Sequence, residues 1–379
     1  MIERTIFGDD HRQFREDLRH FLEKEVLPNH LAWEERGYVD RSLWNRAGQA
    51  GFLCSTISKA YGGRGADRVF SVVLTEGIAK ASASGLGWGL HSDIVAPYIE
   101  IYGTELLKTT YLPKMATGEM VGAIAMTEPS AGSDLKGIRT SARRTGNDYV
   151  VNGSKMFITN GWHCNLVILA VKMDSAESTG GISLLLVESA SPGFSRGKLL
   201  KKSGMHALDT VELYFDDVKV PATNLLGSEG QGFSCLMQQL PWERLQAAIY
   251  SIASAEAALE LTITHSKKHG AFDREHLQAS QNSRFLIAEL RTEIQIGRVF
   301  VDRCIELLLH NKLDATNASM AKYWATNLQF KVMDKCAELY GRYGQVQEMP
   351  IARGWADSGV YRLAGGTNEI MKELISRSL

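Results

Sequence analysis

The chain has 379 residues, 44% of them hydrophobic and 22% charged, with a formal net charge of -1. That length exceeds one ordinary domain and predicts two or three, each able to bury a core. The near-neutral balance, with no long run of one sign, excludes a nucleic-acid binder that depends on a basic surface.

The opening MIERTIFGDDHRQF has no basic stretch followed by an apolar one and does not read as a signal peptide. Phe14, Leu18, Phe21, Leu22 and Val26 then recur at helical spacing. They predict a helix from Asp9 to Val26, capped by Asp9 or Asp10 and stopped by Pro28. Residues 41–53 and 66–118 read as further helical stretches, broken by Gly62-Gly63 and the glycines of 85–89. From about Val121 the pattern turns to strands. Tyr149-Val150-Val151 and 155–159 flank Asn152-Gly153, a pair that suits two positive-φ turn positions and predicts a hairpin there. Short β-type runs follow at 165–171, 182–187 and 211–215, and Pro221 and Gly227 close the section. From Gly232 the helical period returns, with Pro241 and Pro350 expected as breaks. The expected organisation is α+β: a helical domain over 1–120, a β-domain over 121–228 and a second helical domain over 229–379.

Several chemistries lack their motifs. No GxGxxG follows a strand, and GxxxxGK[ST], HExxH and GxSxG are missing. His265 and His269 stand four apart, but Lys267 and Lys268 lie between them and no third ligand is evident, so a solvated helix face is expected and no metal. The longest apolar runs, 166–171 and 182–187, are too short to span a bilayer. Cys54, Cys164, Cys235, Cys304 and Cys336 form no CxxC pair and read as buried reduced thiols of a cytoplasmic protein.

Three blocks carry more information: Ala125 to Asp134 (AMTEPSAGSD), Asn152 to Gly161 (NGSKMFITNG) and Gly365 to Ile370 (GGTNEI). The first is a loop of hydroxyls and small residues, which lets backbone amides approach a flat or anionic ligand. The second places an aromatic and a threonine just beyond Asn-Gly. Each alone reads as a surface turn. Together, and in this order, they resemble the acyl-CoA dehydrogenase family over nearly the whole chain.

The resemblance implies that family's fold: an amino-terminal helical domain, a β-barrel-like middle domain and a carboxy-terminal four-helix bundle. It implies FAD, with Met126, Thr127, Gly132 and Ser133 on one side of the isoalloxazine ring. Phe157, Ile158 and Thr159 lie on the other, with the threonine hydroxyl near flavin N5. Ser133 also borders the thioester arm, and Thr367 and Glu369 meet the cofactor again. In the family the cofactor site spans two subunits, so a homo-oligomer is implied, tetramer or dimer. Gln281, Glu338 and Gly341 fall on the donated side. An electron-transfer flavoprotein is the implied electron acceptor.

The implied reaction removes an α-proton to a base and a β-hydride to flavin. The base must be a poorly solvated carboxylate, and donors must face the thioester oxygen. Most members of the family place a glutamate directly before the Gly-Thr of the third block, where this chain has Gly365. A subgroup similar to long-chain and isovaleryl-CoA dehydrogenases carries it on another helix, just before an arginine. Gln239 to Leu245 (QLPWERL) matches that pattern and marks Glu243 as base. Glycine at 365 leaves room for Glu243, and its amide can still donate to the thioester; Gly366 lies in the same substrate loop. Arg244 either shapes the pocket or supports the flavin loop. On local grounds alone, Glu243 reads as a helix N-terminal acid after Pro241.

Two stretches depart from the family. His269 and Asp273 stand where an arginine and a glycine are usual, and Glu338 and Arg342 replace a glutamine and a glycine. The alternatives to a CoA-thioester dehydrogenase are an enzyme for carrier-protein thioesters, an oxygen-using oxidase and a flavin-binding scaffold without turnover. Leu86 and Trp88 lie where the family walls its acyl pocket, and read equally as pocket or packing residues.

Overall fold

The computed structural model describes residues 2–174, 181–268 and 277–379, the last segment by main chain alone over 277–280. The amino-terminal helices are α1 (Asp9–Phe21), α2 (His30–Arg36), α3 (Arg41–Gln49), α4 (Arg68–Lys80), α5 (Ala96–Tyr102) and α6 (Glu105–Ala116). Phe14 and Leu18 fill the buried stripe of α1 as their spacing requires. The chain does not stop at Pro28. A π turn over Leu22–Val26 passes into a short 3-10 turn, Leu27–Asn29, where proline occupies an early position whose missing N–H costs nothing. A second π turn, Leu90–Val95, leads into α5.

The strands are β1 (Gly122–Ala125), β2 (Ser141–Thr145), β3 (Asp148–Thr159), β4 (Leu166–Met173), β5 (Ile182–Glu188), β6 (Phe194–Arg196), β7 (Thr210–Pro221) and β8 (Leu225–Leu226). Their order is β6-β7-β3-β2-β4-β5-β8, with β1 parallel to β4. Inward residues such as Ala142, Val151, Leu169, Leu185, Val187 and Leu213 form a core of their own. The other faces of β4 and β5, with Leu166, Ile168, Leu184 and Leu186, join the helical core.

The expected hairpin at Asn152-Gly153 is not there. The turn is one step earlier, at Gly146-Asn147 between β2 and β3, with Gly146 at φ +62°. Asn152-Gly153 instead forms a register shift inside β3 opposite β7. The Asn152 amide group exchanges two bonds with Asp217, each 2.9 Å. A Cβ at Gly153 would lie 2.6 Å from Thr140 Oγ1. The pair therefore answers a close approach rather than a chain reversal.

The carboxy-terminal helices are α7 (Gly232–Lys268), α8 (Leu277–Leu309), α9 (Ala315–Leu339), α10 (Pro350–Ser358) and α11 (Asn368–Ser376). Three long helices pack together, and α10 and α11 lie against α9. Pro350 starts α10 as a break should, but Pro241 lies inside α7. All five cysteines are buried and free.

A charge cluster joins the two helical regions. Arg4 bonds Glu76 and Asp302, Arg298 bonds Glu76 and Glu256, and Lys80 stands 3.6 Å from Glu256. Burial would raise the Glu76 carboxyl, but Arg298 and Arg4 bring it down to about 2.

His91, fully buried in the second π turn, joins three segments. It accepts from the Gly122 amide at Nδ1 and donates from Nε2 to the Met115 carbonyl, both at 3.0 Å. Burial pulls its folded value down to about 4, below the ~6.5 of an unfolded histidine. The unfolded chain therefore binds the proton first. His91's contribution is intact above about pH 6.5 and is lost as pH falls toward 4, a change of roughly 3 kcal/mol. We expect the urea midpoint to drop between pH 7.5 and 5, and His91→Asn to flatten that slope. An unchanged slope in the variant would refute the assignment.

Candidate active site

Two loops of the β-domain are locked together by a buried ion pair. Lys155, in β3, sets its ammonium 2.8 Å from Glu128 Oε1 and 3.0 Å from the Met126 carbonyl. Glu128 also accepts from the Arg139 and Thr140 amides at 2.6 and 3.0 Å. The Met156 amide donates to the Thr127 carbonyl at 2.8 Å. Burial lowers the Lys155 ammonium to about 8, and Glu128 keeps it from falling further. With every charge satisfied, such a pair holds one geometry.

Beyond this lock, β3 slips register against β7 between Lys155 and Ile158. Phe157 occupies the slip at φ +59°, with its ring 59% exposed. A left-handed aromatic facing solvent carries backbone strain and gains nothing from burial. Phe157 thus forms an open aromatic platform on the β-domain. Gly132 and Ser133 are exposed, and Met126, Thr127 and Thr159 are partly so. A Cβ at Gly132 would meet nothing within 4 Å. Ile158 departs from expectation: its side chain is 3% exposed and belongs to the barrel core, leaving only its main chain for a ring.

Asn160, also left-handed and fully buried, ties this platform to the amino-terminal helices. Its Nδ2 donates to the Gly87 and Gly122 carbonyls at 3.0 and 3.2 Å. A Cβ at Gly87 would stand 1.8 Å from Asn160 Oδ1, so only glycine fits. The flanking Leu86 and Trp88 are buried, and Trp88 packs on Phe21 at 6.0 Å between ring centroids. Their packing role is the one the structure displays.

Glu243 is not at a helix start. It lies about three turns into α7, beyond the reach of the terminal dipole. Its Oε1 accepts from the Tyr98 hydroxyl of α5 at 3.1 Å. Burial raises its carboxyl to about 7, against the opposing pull of Tyr98 and Arg244. Next to it, Trp242 donates from Nε1 to the Asp93 carbonyl at 2.9 Å. Arg244 is buried, with Nη1 3.4 Å from Ser319 Oγ on α9.

One turn along α9, the buried Lys322 organises the third block. Its ammonium donates to the carbonyls of Gly366 (2.6 Å) and Arg362 (3.3 Å) and to Asn368 Oδ1 (2.9 Å). Ser319 and Lys322, three residues apart, share a helix face. The Glu243-Arg244 pair and the Gly365-Gly366 loop thus meet the same stretch of α9. Gly365 has φ +67°, and a Cβ there would meet nothing within 4 Å. Thr367 caps α11 by accepting from the Ile370 amide at 3.3 Å, and Glu369 is exposed in the first turn.

The donated-side residues lie elsewhere on the carboxy-terminal helices. Gln281 and Gly341 are exposed, and Glu338 is exposed and held by Lys335 at 2.6 Å. His265 stacks on Tyr340 with centroids 4.0 Å apart. His269 and Asp273 lie outside the described residues.

The fold and site together define the class: a β-domain set between two helical regions, with a raised carboxylate on the first long helix of the second. The amino-terminal, middle and carboxy-terminal domain models of the acyl-CoA dehydrogenases match residues 8–119, 123–218 and 230–379. The mitochondrial long-chain specific acyl-CoA dehydrogenase of Rattus norvegicus is 48% identical over 99% of this chain and 88% of its own length. The crystal structure of an acyl-CoA dehydrogenase from Geobacillus kaustophilus superposes with TM-score 0.95 at 47% identity, covering 99% of both chains. A glutaryl-CoA dehydrogenase from Mycobacterium smegmatis in complex with FADH2 superposes with TM-score 0.89 at 25% identity, over 98% of this chain and 95% of that one. The chain belongs to the acyl-CoA dehydrogenase family, and its chemistry is FAD-dependent dehydrogenation of an acyl-CoA.

Sequence reasoning missed Tyr98, Lys155, Asn160 and Lys322. Lys155 lay inside the second block and Asn160 near its end, so their places were marked but not their burial. Nothing local marks Tyr98 or Lys322.

Proposed function

We propose that Glu243 is the α-proton base of this acyl-CoA dehydrogenase. The observation that carries the reading is a partly buried carboxylate, raised to about 7, on the helix that meets the Gly365-Gly366 loop through α9. Phe157, Thr159 and the loop of Met126, Thr127, Gly132 and Ser133 would hold the isoalloxazine ring; the open aromatic face of Phe157 and the accessible hydroxyls of the threonines and Ser133 suit it. Bound there, FAD supplies the two-electron acceptor for the β-hydride. Glu243 takes the α-proton on a carboxylate oxygen. The Gly365 and Gly366 segment, fixed by Lys322, presents backbone amides to the thioester oxygen as charge develops on it. Ser133 borders the thioester arm, and Arg244, adjacent to the base, favours its charged form.

Gln281, Glu338, Gly341, Thr367 and Glu369 are assigned to the remaining cofactor contacts, the first three across a subunit boundary. Exposed Phe285, Ile296 and Val299 on α8 and Trp324 on α9 support a homo-oligomer, tetramer or dimer. The proposed electron acceptor is an electron-transfer flavoprotein. The proposed domain limits are 1–120, 121–228 and 229–379. A reducing compartment such as the cytoplasm suits five buried free thiols; the rat relative is named as mitochondrial. No helix among the described residues is long and apolar enough to cross a membrane.

Anaerobic flavin bleaching across a panel of acyl-CoA and acyl-carrier-protein thioesters tests the reading. We expect CoA thioesters to bleach the flavin. Bleaching by carrier-bound thioesters alone would transfer the activity to the alternative substrate class, and bleaching by none would overturn it.

A further inference from the structure

The base does not stand alone on its helix. On α5, Tyr98 is fully buried, and its hydroxyl reaches across to Glu243 Oε1. Tyr102, one turn further on, grips α7 ahead of Pro241. Its hydroxyl donates toward Gln238 Oε1 at 2.9 Å and the Cys235 carbonyl at 3.3 Å, and it accepts from Gln239 Nε2 at 3.1 Å. The two rings sit 5.8 Å apart. On the other side of the base, Trp242 is anchored to the Asp93 carbonyl in the π turn that precedes α5. A π turn frees a carbonyl from the regular ladder, which is what lets it take a side-chain donor. Glu243 is therefore bracketed from one segment, residues 93–102, at three points.

We propose that Tyr98 is the positioning residue for the base. Its hydroxyl holds one carboxylate oxygen of Glu243 and stabilises the charged form that accepts the α-proton. This rests on Glu243 being the base. The titratable and charged groups at this corner are few. Arg244 lies on the same helix. Tyr102 and Asp93 come from the bracketing segment, and Asp93 is occupied with Ser71. Arg68 lies over the Trp242 ring at 4.7 Å, and Lys322 lies on α9 beyond Arg244. Burial pushes the Glu243 carboxyl up, and Tyr98 and then Arg244 pull it down. Tyr98 cannot compete for the proton, because burial and Glu243 together push its hydroxyl far above the usual phenol range.

A hydrogen bond to a charged group favours that form over the neutral one by about tenfold or more. Tyr98→Phe keeps the buried ring and removes the donor. The Glu243 carboxyl should then rise by about one unit or more. The rate of flavin reduction by acyl-CoA, followed by anaerobic rapid mixing from pH 5.5 to 9.5, should show its rising limb moved upward to match. The deficit should be about tenfold at pH 6 and should close toward pH 9.5. A role in packing alone would lower the rate by the same factor at every pH and leave the midpoint in place, and that result overturns the proposal. An unchanged profile also overturns it. Glu243→Gln measured alongside separates the two claims. If that variant reduces flavin normally, the assignment of the base fails; if it is inactive while Tyr98→Phe matches wild type, only the role of Tyr98 fails.

Discussion

Glu243→Gln should reduce its flavin about 10⁴-fold more slowly than the parent enzyme, at the upper end of what a general base contributes. The amide keeps the shape and can still accept from Tyr98, so FAD and substrate should bind as before, but it cannot take a proton. Rapid-mixing flavin reduction with a good acyl-CoA measures the step directly, and a wild-type rate would remove Glu243 from the mechanism. The geometry at residue 365 refines the companion experiment. A Cβ there meets nothing, so a side chain at 365 starts into open space. The residue must, however, adopt φ +67°, which costs an ordinary residue roughly 1–2 kcal/mol. Gly365→Glu alone should be slow, because two carboxylates would share one site. Glu243→Gly with Gly365→Glu should recover part of the activity, held below the parent by that backbone strain.

Lys155→Met should be the most damaging change to the proposed cofactor platform. It leaves Glu128 buried with two backbone amides and no cation, and frees the Met126 carbonyl. Breaking a buried pair from one side costs about 3–5 kcal/mol. We expect the purified variant to lose FAD and to melt well below the parent. Adding Glu128→Gln should restore part of the loss, since the neutral amide still accepts from the Arg139 or Thr140 amide while the stranded charge disappears. Flavin content after gel filtration, read beside the thermal transition, decides it. A Lys155→Met protein that keeps its flavin and its melting temperature would show that the two loops are not held by this pair.

The sequence exposed the helical, β, helical order because it is written in local periodicity, and it singled out Glu243 as the candidate base because its partner signal at Gly365 is a single, conspicuous change. It failed where long-range contacts decide. Asn152-Gly153 has the composition of a turn, yet Thr140 and Asp217 determine its conformation, and neither is a neighbour in the chain. Pro241 has the composition of a break, yet α7 continues through it with Tyr102 gripping the turns on its amino-terminal side. Lys155 and Lys322 look like surface lysines, but both are among the largest fully buried side chains of the protein. Tyr98 is 145 residues from Glu243, and no spacing rule connects them.

The charge cluster between the helical regions has a consequence for recombining parts of this fold. Arg4, Glu76 and Lys80 bring one net positive charge from the amino-terminal side, and Glu256, Arg298 and Asp302 bring one net negative charge from the carboxy-terminal side. Neither half is neutral at the junction; the balance exists only when they meet. A chimera that takes its first hundred residues from a relative with a different complement at these positions would bury an unmatched charge between otherwise intact domains. Such grafts should be compatible or not according to six residues at the seam, whatever the similarity of the domains themselves.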